Sequence, residues 1–80
     1  MNAQLLAQLR CPETHQKLAL ADETLLAKIN EQIEAGAVQN RSGARVSQKL
    51  EAALVREDGK VVYPIRNGLP IMLVMEAIAI

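Results

Sequence analysis

Few residues in this chain could do chemistry, and Cys11 and His15 come first. A thiol four residues from an imidazole suggests thiolate catalysis or a share in a metal site. Neither arrangement can be completed. A closed structural zinc site takes four ligands, usually from two Cys-x-x-Cys knuckles. Thr14 stands where the second cysteine of a first knuckle would be, and the chain has one cysteine and one histidine in all. Even with Glu13 added, the ligand count fails. A Cys–His pair spaced across Pro12 also names no third, orienting group. Gly36, Gly43, Gly59 and Gly68 are spread one to a turn, so they form no phosphate-cradling loop. The acids Glu23, Glu31, Glu34, Glu57 and Asp58 fall on a helix face or in a turn, where nothing gathers them into a site. The residues therefore predict no catalytic group, no metal and no cofactor. A metal or redox role for Cys11 and His15 ranks last among the alternatives.

The elements that must position these residues belong to one domain spanning residues 1–80, with nine basic and nine acidic side chains. Tyr63 is the sole aromatic residue, so aliphatic side chains must build the core. A core of this size supplies only about 3–5 kcal/mol of net stability, and one cysteine cannot form an internal disulfide. Such a chain leans on a partner. Zero net charge argues against direct nucleic-acid binding, whose affinity comes from neutralising phosphates. Arg41, Arg45 and Lys49 read as a solvated face. The longest apolar run, Leu69 to Met75, falls far short of the roughly 20 residues that span a bilayer. No leader with a basic and then an apolar segment opens the chain, which predicts a cytoplasmic protein with a reduced thiol.

Leu5, Leu6 and Leu9 share one helical face, so a short helix is expected over residues 3–10, ended by Pro12. A strand follows at residues 17–20. From Glu23 to about Ala35, Leu25, Leu26, Ile29 and Ile33 form an apolar stripe, with Asp22 as N-cap and Gly36 as terminator. Residues 37–48 carry a turn at Asn40-Arg41-Ser42-Gly43, in a small hairpin or an exposed loop. Asp58-Gly59 predicts a type I′ hairpin that pairs Leu54 with Tyr63 and Val55 with Val62. Leu54, Val61, Tyr63 and Ile65 then share one face. Asn67-Gly68 makes a second turn into a strand over residues 69–74, and residues 75–80 form an apolar tail, helical or irregular. The expected class is α+β, with a small antiparallel sheet of three to four strands, a short N-terminal helix and an inserted amphipathic helix.

Leu5 to Pro12, Lys17-Leu18, and Tyr63-Pro64-Ile65-Arg66-Asn67-Gly68-Leu69-Pro70-Ile71-Met72-Leu73 together resemble a family of small zinc-ribbon-like proteins. The family includes activator subunits of RNA and protein methyltransferases and short bacterial relatives of uncharacterised function. The resemblance covers roughly residues 4–20 and 54–76, with residues 21–50 as the family's variable insertion. Its motif residues here are Cys11, Pro12, Tyr63, Pro64, Ile65, Arg66, Asn67, Gly68 and Pro70. Many members carry Cys-Pro-x-Cys and a second cysteine pair before the Tyr-Pro-Ile strand. This chain has Thr14 in the first place and no cysteine in the second, so the resemblance implies the ribbon scaffold without its zinc. Val55, Val62 and the long helix are expected to supply the stability that the metal would have given.

The resemblance further implies a non-catalytic adaptor that activates or stabilises an S-adenosylmethionine-dependent methyltransferase. A partner strand is expected to pair along Tyr63–Leu73. Leu69, Ile71, Met72, Val74 and Met75 are the expected partner-binding residues, since methionine-rich patches adapt to what they meet. Leu69, Ile71 and Leu73 alternate toward one face and suit the protein's own core equally well. The alternative is a homodimer closed by the apolar tail. Because the ligand count fails, the purified protein should hold no stoichiometric zinc and keep its fold in chelator. Elemental analysis finding one zinc per chain would overturn this.

Overall fold

The computed structural model describes residues 8–80. Strand β1 (Leu18–Leu20) leads into helix α1 (Glu23–Glu34). Strands β2 (Ala52–Arg56), β3 (Val61–Arg66), β4 (Leu69–Pro70) and β5 (Ile78–Ala79) follow, with a 3-10 turn at Val74–Glu76 before β5. All pairings are antiparallel, in the order β1-β2-β3-β4, and β5 also joins β3.

This overturns the expected α+β class with two helices. The domain is β-rich, a curled half-barrel of antiparallel strands, and α1 is its one multi-turn helix among the described residues. The difference arises at β3. Its first residues pair with β5 and its last with β4, so one strand edge serves two partners. The apolar tail is thus a strand of the sheet. The helix expected over residues 3–10 lies outside the described residues except at its end, where Gln8 is helical and Leu9 and Arg10 are not.

Helix α1 forms where its stripe predicts. Asp22 Oδ1 accepts from the Leu25 N–H at 2.8 Å, which satisfies one of the donors that a helix start leaves unpaired. The other end closes as a Schellman motif. Gly36 takes φ +74°, its N–H donates to the Ile33 carbonyl, and the Ala37 N–H donates to that of Gln32. Asn30 then ties the helix to the segment that leads into β2, its side chain bonding both the N–H and the carbonyl of Leu50.

Strand alternation divides the core in two. On one face Ala53, Val62 and Ile78 meet Ile29 and Ile33 of α1, with Val38, Val46 and Leu50 from the connecting segment. On the other, Leu54, Val61, Tyr63 and Ile65 meet Cys11, Leu18 and Ala77. The segment between α1 and β2 is a small hairpin: Gln39 bridges Arg45, and Val46 donates to the Val38 carbonyl.

The β2–β3 register is the predicted one, with Leu54 opposite Tyr63 and Val55 opposite Val62. Its turn differs. A type I′ turn needs positive φ at both central residues, and here Gly59 has it while Asp58 does not. The turn closes instead through Gly59 N–H to the Arg56 carbonyl at 2.7 Å. Asp58 is held by its carboxylate, which accepts from Arg56 and from the Lys60 N–H. The pair of positive φ values falls at Asn67 and Gly68, which join Arg66 to Leu69 directly.

Proline explains the length of β4. Ala53 opposite Pro64 is a non-hydrogen-bonded pair, since the Ala53 carbonyl accepts from Ala21 on the far side. Pro64 therefore sits inside the sheet at no cost to the β2 ladder. On its other side the Pro64 carbonyl accepts from Ile71, but Pro64 has no N–H to return. Pairing stops there, and the expected strand over residues 69–74 shrinks to Leu69–Pro70. Replacing Asp22 by Ala should lower the unfolding free energy by about 1 kcal/mol. Urea titration should show this as a lower midpoint at unchanged slope.

Candidate functional site

Two places gather residues of interest: a polar cluster under the second core, and an apolar surface beyond β4. The cluster is built on the turn at residues 11–15. His15 N–H donates to the Cys11 carbonyl at 2.8 Å, Cys11 N–H donates to the Gln16 carbonyl, and His15 takes φ +62°. This turn points the Cys11 side chain inward, where it is fully buried, and leaves His15 exposed. Cys11 Sγ lies 3.0 Å from the Tyr63 hydroxyl. The two stretches that carry the family resemblance, separated by some fifty residues of chain, meet at this contact.

Arg56 comes next, with 8 % of its surface exposed. It shares a face with Leu54 and Tyr63, so its guanidinium must find its partners inside. Nε donates to both Asp58 oxygens at 3.0 Å and Nη2 lies 2.7 Å from Oδ2, while Nη1 reaches Glu13 Oε1 at 3.4 Å. Glu13 is also engaged by both terminal nitrogens of Arg41. The hydrogen bond from Arg56 holds the Asp58 carboxyl below its ordinary pKa, and the Lys60 N–H adds to this. The same bond, from Asp58, holds the guanidinium above its own.

The thiol feels this environment. Burial pushes its pKa up, but the Thr14 side chain, the Tyr63 hydroxyl and the backbone at Thr14 and Glu13 together pull it from its ordinary value near 9 down to about 6. Tyr63 shifts the opposite way, upward through burial and its bond to Cys11. What the cluster can do chemically is bind three chain segments together around a buried thiol whose ionisation is favoured. No group of three or more His, Cys, Asp or Glu side chains is placed to hold a metal ion among the described residues.

The apolar surface contains the five expected partner-binding residues, in three settings. Leu69 on β4 and Met75 in the 3-10 turn are 65 % and 55 % exposed. Ile71 and Val74 are half-buried. Met72 is also half-buried and packs against the second core. Leu73, which suited core or surface equally in the sequence, is 62 % exposed. Pro70 faces away from β3, because the pairs on either side of it, Leu69 with Arg66 and Ile71 with Pro64, are those that bond across the ladder. The outer edge of β4 thus presents a residue with no donor. Sequence reading placed Glu13 as an insufficient metal ligand, Arg41 on a solvated face and Asp58 in a turn, and did not bring the three together. The signal that could have found them was Arg56 itself, a charge on the face shared by Leu54 and Tyr63.

No family model matches the chain, and no curated protein matches it. The solution structure of XF2673 from Xylella fastidiosa is similar, with 38% sequence identity and a TM-score of 0.79. The match covers 99% of this chain and 81% of that one.

The Cys11 environment sets a pH dependence. With a folded pKa of about 6 against an ordinary 9, the unfolded chain binds the thiol proton more tightly than the folded one. The thiolate's contribution is full above the unfolded value, declines as pH falls, and is gone below the folded one. Denaturant titrations across this window should show wild-type stability rising with pH. The Cys11→Ser variant should lose that slope, and the same slope in both proteins would remove the thiolate from the account.

Proposed function

This chain belongs to the same family as the Xylella fastidiosa protein XF2673, and on that footing we propose that it is a non-catalytic adaptor that binds another protein. The observation that carries this reading is the run from Leu69 to Met75. A domain with so little core has every reason to bury Leu69, Leu73 and Met75, and all three stay in solvent. Patches of this kind, rimmed by polar residues, mark interaction sites. The resemblance to methyltransferase activators supplies the partner class, an S-adenosylmethionine-dependent methyltransferase that the adaptor stabilises.

The second reading, a homodimer closed by the tail, has less behind it. Ala77 and Ile78 are buried in the protein's own two cores, and β5 is part of the sheet. Of the tail's large apolar side chains, Met75 and Ile80, each about half exposed, are left to offer.

The test uses the residues that face solvent, because Met72 also packs inward. Wild-type protein, tagged and recovered from its native cell, should bring down a protein that binds S-adenosylmethionine. The double variant Leu69→Asp and Met75→Asp should fold, as read by circular dichroism, and fail to recover it. Unpaired carboxylates cannot enter an apolar interface without a desolvation cost of several kcal/mol. Undiminished recovery by the variant would move the interface elsewhere. A recovered partner with no affinity for S-adenosylmethionine would remove the methyltransferase half of the reading.

A further inference from the structure

The turn between β3 and β4 holds the chain's one Asn-Gly step, Asn67-Gly68, and both residues are exposed. In such a step the backbone can react with its own side chain. The Gly68 nitrogen attacks Cγ of Asn67. A bond from that nitrogen to Cγ forms, the bond from Cγ to Nδ2 breaks, and ammonia leaves with the former Gly68 proton. Water then opens the five-membered imide, which gives aspartate or isoaspartate in place of asparagine. No co-reactant besides water enters. Glycine favours the attack because no side chain crowds its nitrogen, and the space around Gly68 is open.

The folded turn keeps the reacting atoms apart in two ways. Asn67 and Gly68 have φ of +52° and +75°, the I′ pattern. In this mirror image of a type I turn, ψ at the first central residue is about +30°. For an L residue that sets the next nitrogen nearly opposite Cβ, whereas ring closure needs the two side by side. The Asn67 Cα–C bond must therefore turn through more than a right angle. Such a rotation meets the second restraint: the Gly68 N–H, whose proton must leave, donates to Glu51 Oε1 at 2.7 Å. Glu51 stands just ahead of β2, seventeen residues away in the chain. The Asp58-Gly59 step is guarded differently. Its N–H bonds the Arg56 carbonyl within its own turn, and its carboxylate, held ionised by Arg56, is a poor target for attack.

We propose that Asn67 is a site of spontaneous deamidation, gated by the hydrogen bond between Glu51 and Gly68. While that bond holds, the turn keeps its shape and Asn67 is spared. When it opens, the imide can form. Isoaspartate then inserts one carbon into the backbone between Arg66 and Leu69, which now face each other as a pair. Either product also sets a new carboxylate in the turn that Glu51 holds. Both changes oppose the return of the original turn, so a passing local opening becomes permanent. The site does not depend on the protein-binding reading.

The experiment incubates the full chain in mildly alkaline buffer and follows Asn67 by peptide mapping with mass spectrometry. In urea, where the turn is lost, conversion should run at least about tenfold faster than in the folded protein. Glu51→Ala, shown to be folded by circular dichroism, should convert several-fold faster than wild type without urea. Asp22→Ala, which weakens the cap of α1 and leaves Glu51 in place, should stay near the wild-type rate. Equal rates for folded and urea-treated wild type would overturn protection by the turn, whatever the variants do. Glu51→Ala at the wild-type rate, or Asp22→Ala as fast as Glu51→Ala, would overturn the gate at Glu51. An Asn67 that stays intact even in urea would overturn the site itself.

Discussion

The buried charge of Arg56 is the constraint on which much of this structure depends. Strand alternation places it beside Leu54 and opposite Val61, facing the core. A guanidinium there must be hydrogen-bonded, because a buried charge without partners is among the costliest features a fold can carry. Asp58 answers from the adjoining turn and Glu13 from the turn at residues 11–15. The demand for Glu13 draws that turn onto the sheet, which seats Cys11 against Tyr63. The outer side of Glu13 then engages Arg41, whose own N–H donates to the Ala77 carbonyl. One cation thus links the N-terminal turn, the β2–β3 hairpin, the inserted loop and the C-terminal strand. On its own an exposed pair such as Glu13–Arg41 contributes little. Here it extends a network anchored inside.

The sheet also governs which surfaces are left for function. Open strand edges invite pairing with other chains, and natural sheets close or blunt them. Arg10 bridges Lys17 beside β1, and Asn40 bridges Ile78 beside β5. At β4, Pro70 faces outward with no N–H. The edges at β4 and β5 are thus blunted or bridged, and that at β1 is bridged just before the strand begins. A partner meeting this protein near β4 finds side chains more readily than a backbone ladder, which shifts the weight of recognition onto Leu69 and Met75.

Legibility in the sequence followed the range of the interactions. Helix α1 was readable because its cap, stripe and terminator all lie within its own residues. The β2–β3 register was readable by counting outward from the turn. The turn type was not, because Asp58 answers to Arg56 and Lys60 rather than to the dipeptide preference. The strand expected over residues 69–74 failed at Pro64, whose missing donor matters only once β4 lies beside it. The place of Ile78–Ala79 in the sheet depends on half of the β3 edge being left open, which no local pattern encodes. For the candidate site, composition marked the stretch from Leu69 to Met75. It did not separate exposed Leu69 and Met75 from Met72, which packs against the second core.

The same distinction bears on why so small a chain keeps solvent-exposed leucines. Both faces of its sheet are already covered, one by α1 and the inserted hairpin, the other by the turn at residues 11–15 and Ala77. The apolar residues that follow β4 have no third layer to enter. Pro64 stops the pairing that would have carried them along β3, and the 3-10 turn at Val74–Glu76 brings the chain back toward β5. Exposure of Leu69, Leu73 and Met75 is thus a consequence of the backbone path set by two prolines and a tight turn. A substitution that restored pairing, such as Pro64→Val, would supply the missing donor to Ile71 and draw this segment toward the sheet. The surface that we assign to a partner exists because that bond is absent.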